Sequence, residues 1–334
     1  MSAVRNREGR QIFVDALTQY AQHSRNPRLR SIIRRLCAPL RVAVRGRRGA
    51  GATTVAAALS AGGVVVAPDT SAADVDVVVL AEVLKPEDIA LIGAAQRPTV
   101  AVLNKADLSG FGPGGPVAAA QRRAGHYRAL TGVPTVPMVA LLGAVVLDDE
   151  MLAALSALVR QPADLTNTDA FLRCAHPVPV SARRRLLDAL DRFGIAHAVV
   201  ALGDGAEPAA LPGLLRRHSQ LDRVVEQIHA AGAALRYQRM RSAITELRAL
   251  AAQSGDQRLA AFLAGDDAVV GAMAAAVEVV EAAGVPVDTA DDPAAHLRRA
   301  VRWRRYGRGP VGALHRDCAA DISRGSLRLL GRPR

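Results

Sequence analysis

Two kinds of apolar pattern alternate along the first two hundred residues, and only one continues beyond them. Short runs in which nearly every position is apolar fall at 40–45, 63–67, 75–81, 98–103 and 133–139. Runs this short and continuous predict strands buried on both faces. Between and after them, apolar residues recur at three- and four-residue spacing over 53–61, 86–95, 116–130 and 149–159, the period of a helix with one buried face. The alternation predicts an α/β fold, a mostly parallel sheet flanked by helices. Ahead of it, 9–23 and 28–37 read as amphipathic helices split at Asn26-Pro27, with Ile12, Phe13, Leu17 and Tyr20 on one face of the first. Behind it, 181–193 reads as a helix and Ile195 to Leu202 as a strand that rejoins the sheet.

From 219 onward only the helical period remains. It is carried by Leu221, Val224, Val225, Ile228, Leu235, Ile244, Leu247 and Leu250, then by helices near 257–264, 266–283 and 291–304. Short breaks at Gly255, Gly265 and Gly284-Val285-Pro286 predict antiparallel neighbours in a C-terminal all-α region. The expected domains are therefore 1–39 (N-terminal helices), 40–218 (α/β) and 219–334 (helical, with a basic tail).

Two loops in the α/β segment carry chemistry. The first strand is followed by Gly46-Arg47-Arg48-Gly49-Ala50-Gly51-Ala52-Thr53-Thr54 and then a helix. Strand, glycine loop and helix is the setting in which backbone N–H groups and a helix N-terminus hold phosphate. The fourth strand ends in Asn104-Lys105-Ala106-Asp107. A carboxylate placed there can accept hydrogen bonds from both guanine N1–H and its exocyclic amine, a pair adenine does not offer. Asn104 would brace the pocket, and the Lys105 stem would cover the purine. In parallel sheets ligands sit at the C-terminal ends of the strands, where both loops lie.

Composition narrows the reading. The chain has 334 residues, 50% apolar but only 3% aromatic, so Ala, Val and Leu must build the core. Its net charge is +12: residues 1–48 carry +10 and 297–334 carry +9, leaving −7 between them. Basic ends suit contact with something anionic (phospholipid, nucleic acid or an acidic partner) or a solvated arginine face. Arg298, Arg302 and Arg305 share a helical face near Trp303 and Tyr306. Of the 43 basic residues only Lys85 and Lys105 are lysine. Cys37, Cys174 and Cys318 are too scattered for a disulfide framework, which suggests a reducing, cytoplasmic setting; His126, His197, His218 and His229 have no ligand or triad spacing. The apolar windows 132–147 and 268–287 are broken by Pro, Gly or acids and do not read as membrane spans. No catalytic residue and no metal site is expected.

Taken together, residues 40–142 resemble a translation-factor-class P-loop GTPase, and the flanking helices make the chain look like the bacterial dynamin-like or Era-like branch. The resemblance implies a P-loop NTPase-like sheet with GTP or GDP as ligand. Gly46, Gly49, Gly51, Thr53 and Thr54 would lie around the phosphates, and Asn104, Lys105 and Asp107 around the base. It further implies a second phosphate-side motif at Asp69-Thr70-Ser71-Ala72 and a base-side loop at Val139-Ala140-Leu141, with Ser181-Ala182-Arg183 as a second candidate.

The departures share a direction. Ala52 stands where the phosphate-bridging lysine belongs, and Ala72 where the γ-phosphate glycine belongs. Only 23 positions separate Gly46 from Asp69, too few for a switch loop, its Mg²⁺-binding threonine and another strand. This weakens the case for Mg²⁺. The expectation is a pseudo-GTPase that serves as regulatory or partner subunit of an active, dynamin-like GTPase, pairing through its helical region. One alternative is a slow, partner-activated GTP hydrolase in which Arg47 or Arg48 replaces the lysine. Another is a scaffold without nucleotide that binds anionic membrane peripherally, or nucleic acid. Residues 48–57 also resemble the variant P-loop of chromosome-partitioning ATPases, whose superclass includes metal-chaperone GTPases. Those carry a signature lysine where Arg47 or Arg48 stands, and the chaperones carry His/Cys tracts; this chain has neither.

Overall fold

Two helices come first, α1 (Ser2–His23) and α2 (Pro27–Leu36). There follow β1 (Arg41–Gly46), α3 (Ala52–Ala61), β2 (Val65–Val66), β3 (Val75–Ala81), α4 (Pro86–Gly93), β4 (Thr99–Asn104), α5 (Gly115–Thr131) and β5 (Thr135–Pro137). Among the described residues ten further α-helices follow: α6 (Asp149–Arg160), α7 (Thr168–Arg173), α8 (Val180–Gly203), α9 (Leu211–Ser219), α10 (Leu221–Ala231), α11 (Ala233–Ser254), α12 (Gln257–Ala264), α13 (Asp266–Ala282), α14 (Pro293–Gly307) and α15 (Ala313–Leu330). The computed structural model describes residues 2–24, 26–110 and 112–331.

Leu40–His229 forms one compact unit, built on a five-stranded sheet in the order β2-β1-β3-β4-β5. Every pairing is parallel, with Val44 opposite Val77, Val78 opposite Ala101 and Leu103 opposite Pro137. The central strand β3 is buried at all seven positions, as its near-continuous apolar run requires. Its one charge, Asp76, is held by Arg45 at 2.8 Å and Arg97 at 3.0 Å. Helices start where side chains can satisfy their first N–H groups. Asp148 accepts from Met151 N at 2.9 Å at α6, and Asp88 reaches back to Lys85 N at 3.0 Å at α4. Leu80, Leu103, Leu142, Leu155, Phe171 and Leu186 fill the core, each worth about 1.5–3 kcal/mol by burial.

Ile195 to Leu202 is not a strand. It is the second half of α8, which breaks at Asp191 and continues to Gly203. Ile195 and Ala198 are fully buried, three residues apart, a helical spacing that the β-branched pair Val199-Val200 obscured in the sequence.

The chain before Leu40 and from Ala230 onward forms a second unit, with helices and no strand among its described residues. Phe13 and Leu17 from α1 and Leu29 and Ile32 from α2 share one core with Tyr237, Leu247, Trp303 and Ile322. Ile12, expected on that inner face, is 53% exposed. Small residues let these helices approach closely. A Cβ on Gly271 of α13 would lie 2.8 Å from Phe13 Cβ, and one on Gly325 of α15 would strike Met273. The basic tail is not an appendage: α15 packs Cys318, Ala319 and Ile322 into the core.

The boundary at 39/40 is the expected one, whereas the second lies at 229/230 and not at 218/219. The N-terminal helices share a core with the C-terminal ones, and Leu221–His229 belongs with the sheet. Leu221 lies close to Gly62 and Gly143 inside the sheet unit, which ties α10 there. Among the described residues no single helix is long and apolar enough to cross a membrane; α12 and α13 pass that test only as a pair bent by 47°.

Candidate functional site

The glycine loop leaves the end of β1 and turns into α3. At its start, a Cβ on Gly46 would stand 2.8 Å from Val79 O on β3, so the two strands need glycine here. At its end, Gly51 caps α3 in the left-handed region (φ 86°), where any side chain would also strike the Asn104 amide. Gly49 is also left-handed (φ 85°), with open space around it. Between them Ala50 is fully buried, and its N–H closes a turn on Arg47 O at 3.1 Å. Thr53 is exposed and Thr54 half-buried in the first turn of α3, whose leading N–H groups have no partner within the helix.

Asn104, buried at the end of β4, ties this loop to two others. Its Nδ2 donates to Ala50 O at 3.0 Å, and its Oδ1 accepts from Ala140 N at 3.1 Å. One side chain thus joins the glycine loop, the Asn104–Asp107 segment and the 3-10 turn Ala140–Ala144 after β5. Lys105 is exposed and left-handed (φ 56°), and Ala106 N bonds to Met138 O at 3.1 Å. Asp107 is half-buried, on the 3-10 turn Ala106–Leu108. Burial pushes its carboxyl above the usual range; the negative charge of Asp191 adds to this, while its own backbone N–H, Lys105 and Arg192 oppose it.

The other expected residues do not join this constellation. Asp69 is exposed after β2 and caps the 3-10 turn Thr70–Ala72. Its carboxylate accepts from Ser71 N at 3.0 Å and Ser71 Oγ at 2.7 Å, which holds its pKa below the usual range. Arg47 points away from the loop mouth, donating to Ala81 O at 2.6 Å and reaching buried Asp88 at 3.4 Å. Arg48 remains exposed and has no side-chain partner among the described residues. Ser181-Ala182-Arg183 opens α8, and Arg183 is buried there, donating to Phe171 O and to Cys174 Sγ at 3.0 Å. Trp303 is in the helical core, with Arg298, Arg302 and Arg305 on the exposed side of α14.

Two features had no signal in the sequence. His197 of α8 and His218 of α9 stack at 3.9 Å, with Phe193 edge-on to the first at 4.4 Å. Burial lowers both pKa values, helped by His218 for His197 and by Arg217 for His218. The second feature is Asp191, a non-glycine residue at φ 52°, ψ 179°.

The chain was compared with family models, curated proteins and solved structures, and none matches.

Proposed function

We propose that the chain is a guanine-nucleotide-binding pseudo-GTPase: it holds GDP or GTP and hydrolyses poorly or not at all. The observation that carries this is the Asn104 bridge. A buried amide that joins a glycine loop to the loop bearing Asp107 and to the turn at Ala140 gives one continuous rim at the C-terminal edge of a parallel sheet. Phosphate would meet the α3 N-terminus, and guanine would meet Asp107. The absent lysine at Ala52 and the self-satisfied carboxylate of Asp69 leave the γ-phosphate side without a charge-stabilising group. Arg47, committed to Ala81 and Asp88, gives no support to the slow-hydrolase alternative; Arg48 is the residue left to serve it.

Calorimetric titration of nucleotide-stripped protein with GDP and GTP, with and without Mg²⁺ and with ATP as control, tests this directly. Micromolar guanine binding that Asp107→Asn abolishes is the expected result. Absence of binding at millimolar nucleotide would end the proposal. The role of partner subunit to an active GTPase completes the proposal, and light scattering of the protein with and without such a GTPase tests it.

A second reading, peripheral contact with an anionic membrane, is favoured by one observation. The outer face of α14 sets Leu297 and Val301, about half exposed, among Arg302, Arg304, Arg305 and Arg308, and the helix contains no carboxylate. Flotation with phosphatidylserine vesicles at physiological salt, expected to weaken in Arg302→Glu/Arg305→Glu, checks it.

A further inference from the structure

A cavity of about 340 Å³ opens in the helical unit, near the lower end of ligand-pocket sizes, about 300–1,000 Å³. One side of it is apolar, formed by Val270, Met273 and Val277 of α13, Val287 of the loop that follows, and half-exposed Ile12 of α1. The other side is charged. Asp288 and Asp291 line it from the loop before α14, and Arg299 lines it from α14 itself. Apolar walls with a few convergent polar groups are the usual make-up of a small-molecule site.

Arg299 separates this cavity from a mere gap in packing. It is 4% exposed, and among the described residues no carboxylate bonds to it directly. Its Nε donates to Ser326 Oγ at 2.9 Å, and its Nη1 donates to Asp288 O at 2.7 Å and Ala290 O at 3.2 Å. Its Nη2 donates to His296 Nδ1 at 2.6 Å, which leaves His296 Nε2 to face Asp291 Oδ1 at 3.2 Å. Four of the five guanidinium hydrogens are thus taken, and the second on Nη2 has no acceptor among the described residues. Burial pushes the Arg299 pKa down, and the charges of Asp288, Asp291 and Asp292 oppose this from a distance. A buried cation without a contacting counter-ion is costly, and a carboxylate seated on the last N–H would relieve that cost.

The acids beside it decide which carboxylate. Asp288 Oδ1 accepts from Ala290 N at 3.0 Å, while its Oδ2 has the Arg298 guanidinium only at 4.0 Å. A simple fatty or aromatic acid would bring another negative charge against Asp288 and Asp291, and a simple amine would leave Arg299 unanswered. A zwitterion answers both, and the apolar wall calls for a hydrocarbon side chain next to it. We propose that this cavity binds a free α-amino acid with an apolar side chain. Its carboxylate meets the remaining Arg299 N–H, its ammonium meets Asp288, and its side chain lies against Val270, Met273 and Val277. The site belongs to the helical unit and stands independently of the nucleotide reading.

Calorimetric titration of the full chain with leucine, methionine and phenylalanine, and with three analogues that each lack one feature, is the test. Leucinamide lacks the carboxylate, 4-methylpentanoate lacks the ammonium, and glycine lacks the side chain. Saturable binding of at least one apolar amino acid is expected, with each analogue weaker than leucine by about tenfold or more, the scale of one charged hydrogen bond. Asp288→Asn keeps the acceptor for Ala290 N and removes the charge; it should narrow the preference for leucine over 4-methylpentanoate and leave the affinity for the latter no weaker. A melting curve shows that this variant is folded, and the analogue series on the wild type needs no variant at all. No saturable binding of any of the three amino acids at millimolar concentration would overturn the proposal. So would leucinamide or 4-methylpentanoate binding as tightly as leucine, or a folded Asp288→Asn that keeps the wild-type preference.

Discussion

Asp107 and Asp191 are both held at a cost to the fold, by different means. For Asp107 the cost is electrostatic. Its carboxyl is raised above the usual range by burial and by Asp191, so the charged form is disfavoured in the folded protein. The penalty is absent below the unfolded value of about 4 and complete once pH exceeds the raised folded one. Asp107→Asn is therefore expected to lose guanine binding and yet melt above the wild type at pH 7, the difference closing toward pH 4; a pH series of thermal melts checks it. For Asp191 the cost is conformational. Asp191→Gly should stabilise the protein by about 1 kcal/mol, read from urea denaturation, because glycine enters this backbone region freely. At this scale the sequence exposed Asn104, Lys105 and Asp107 through a short motif. It hid Asp191, whose backbone angles have no counterpart in residue type. It also hid the commitment of Arg47, since Asp88 lies 41 residues away.

The element that assembles the rim is the end of β4. Asn104→Ala would leave Ala50 O and Ala140 N buried without their partner, a loss of about 2–4 kcal/mol in denaturant unfolding, and would loosen both flanking loops. The junction of α8 and α9 carries a different sensitivity. His197 and His218 favour their neutral forms in the fold, with pKa values below the usual histidine value. Their stabilisation is present above about pH 6.5, where the unfolded chain begins to take protons, and is lost as pH falls through the lowered folded values. The fall in melting temperature from pH 7.5 to pH 5 should be smaller in His197→Gln/His218→Gln. Elements with one dominant pattern were the legible ones: the valine runs of β1, β3 and β4, and the alanine-rich helices beside them. The second half of α8 was misread because Val199 and Val200 favour strands while Ile195 and Ala198 obey the helical period. Tertiary packing decided between them.

For the whole molecule, the grouping of elements was the least legible. Nothing in the periodicity of α1 and α2 says that their partners begin at Ala233, yet Phe13, Leu17, Leu29 and Ile32 share a core with Tyr237 and Leu247. The sheet unit has its own core, so a chain limited to 40–229 should fold alone and retain the proposed nucleotide site. Deleting residues 1–39 should strip the helical unit of that apolar surface and open it to proteolysis while the sheet unit stays resistant. Limited trypsin digestion followed by mass spectrometry distinguishes the two outcomes. A single cooperative loss of both units would contradict the division.

The interleaved order of the two units also has a consequence for birth of the chain on the ribosome. The first two helices emerge long before their partners exist. At about 5–20 residues per second, the stretch from residue 40 to the end of α13 takes roughly 10–50 s to translate. During that interval the sheet unit can complete itself, while the apolar stripe of α1 and α2 stays uncovered. Nascent chains should therefore present an early chaperone-binding segment in α1 and α2, released only when α11 and α13 arrive.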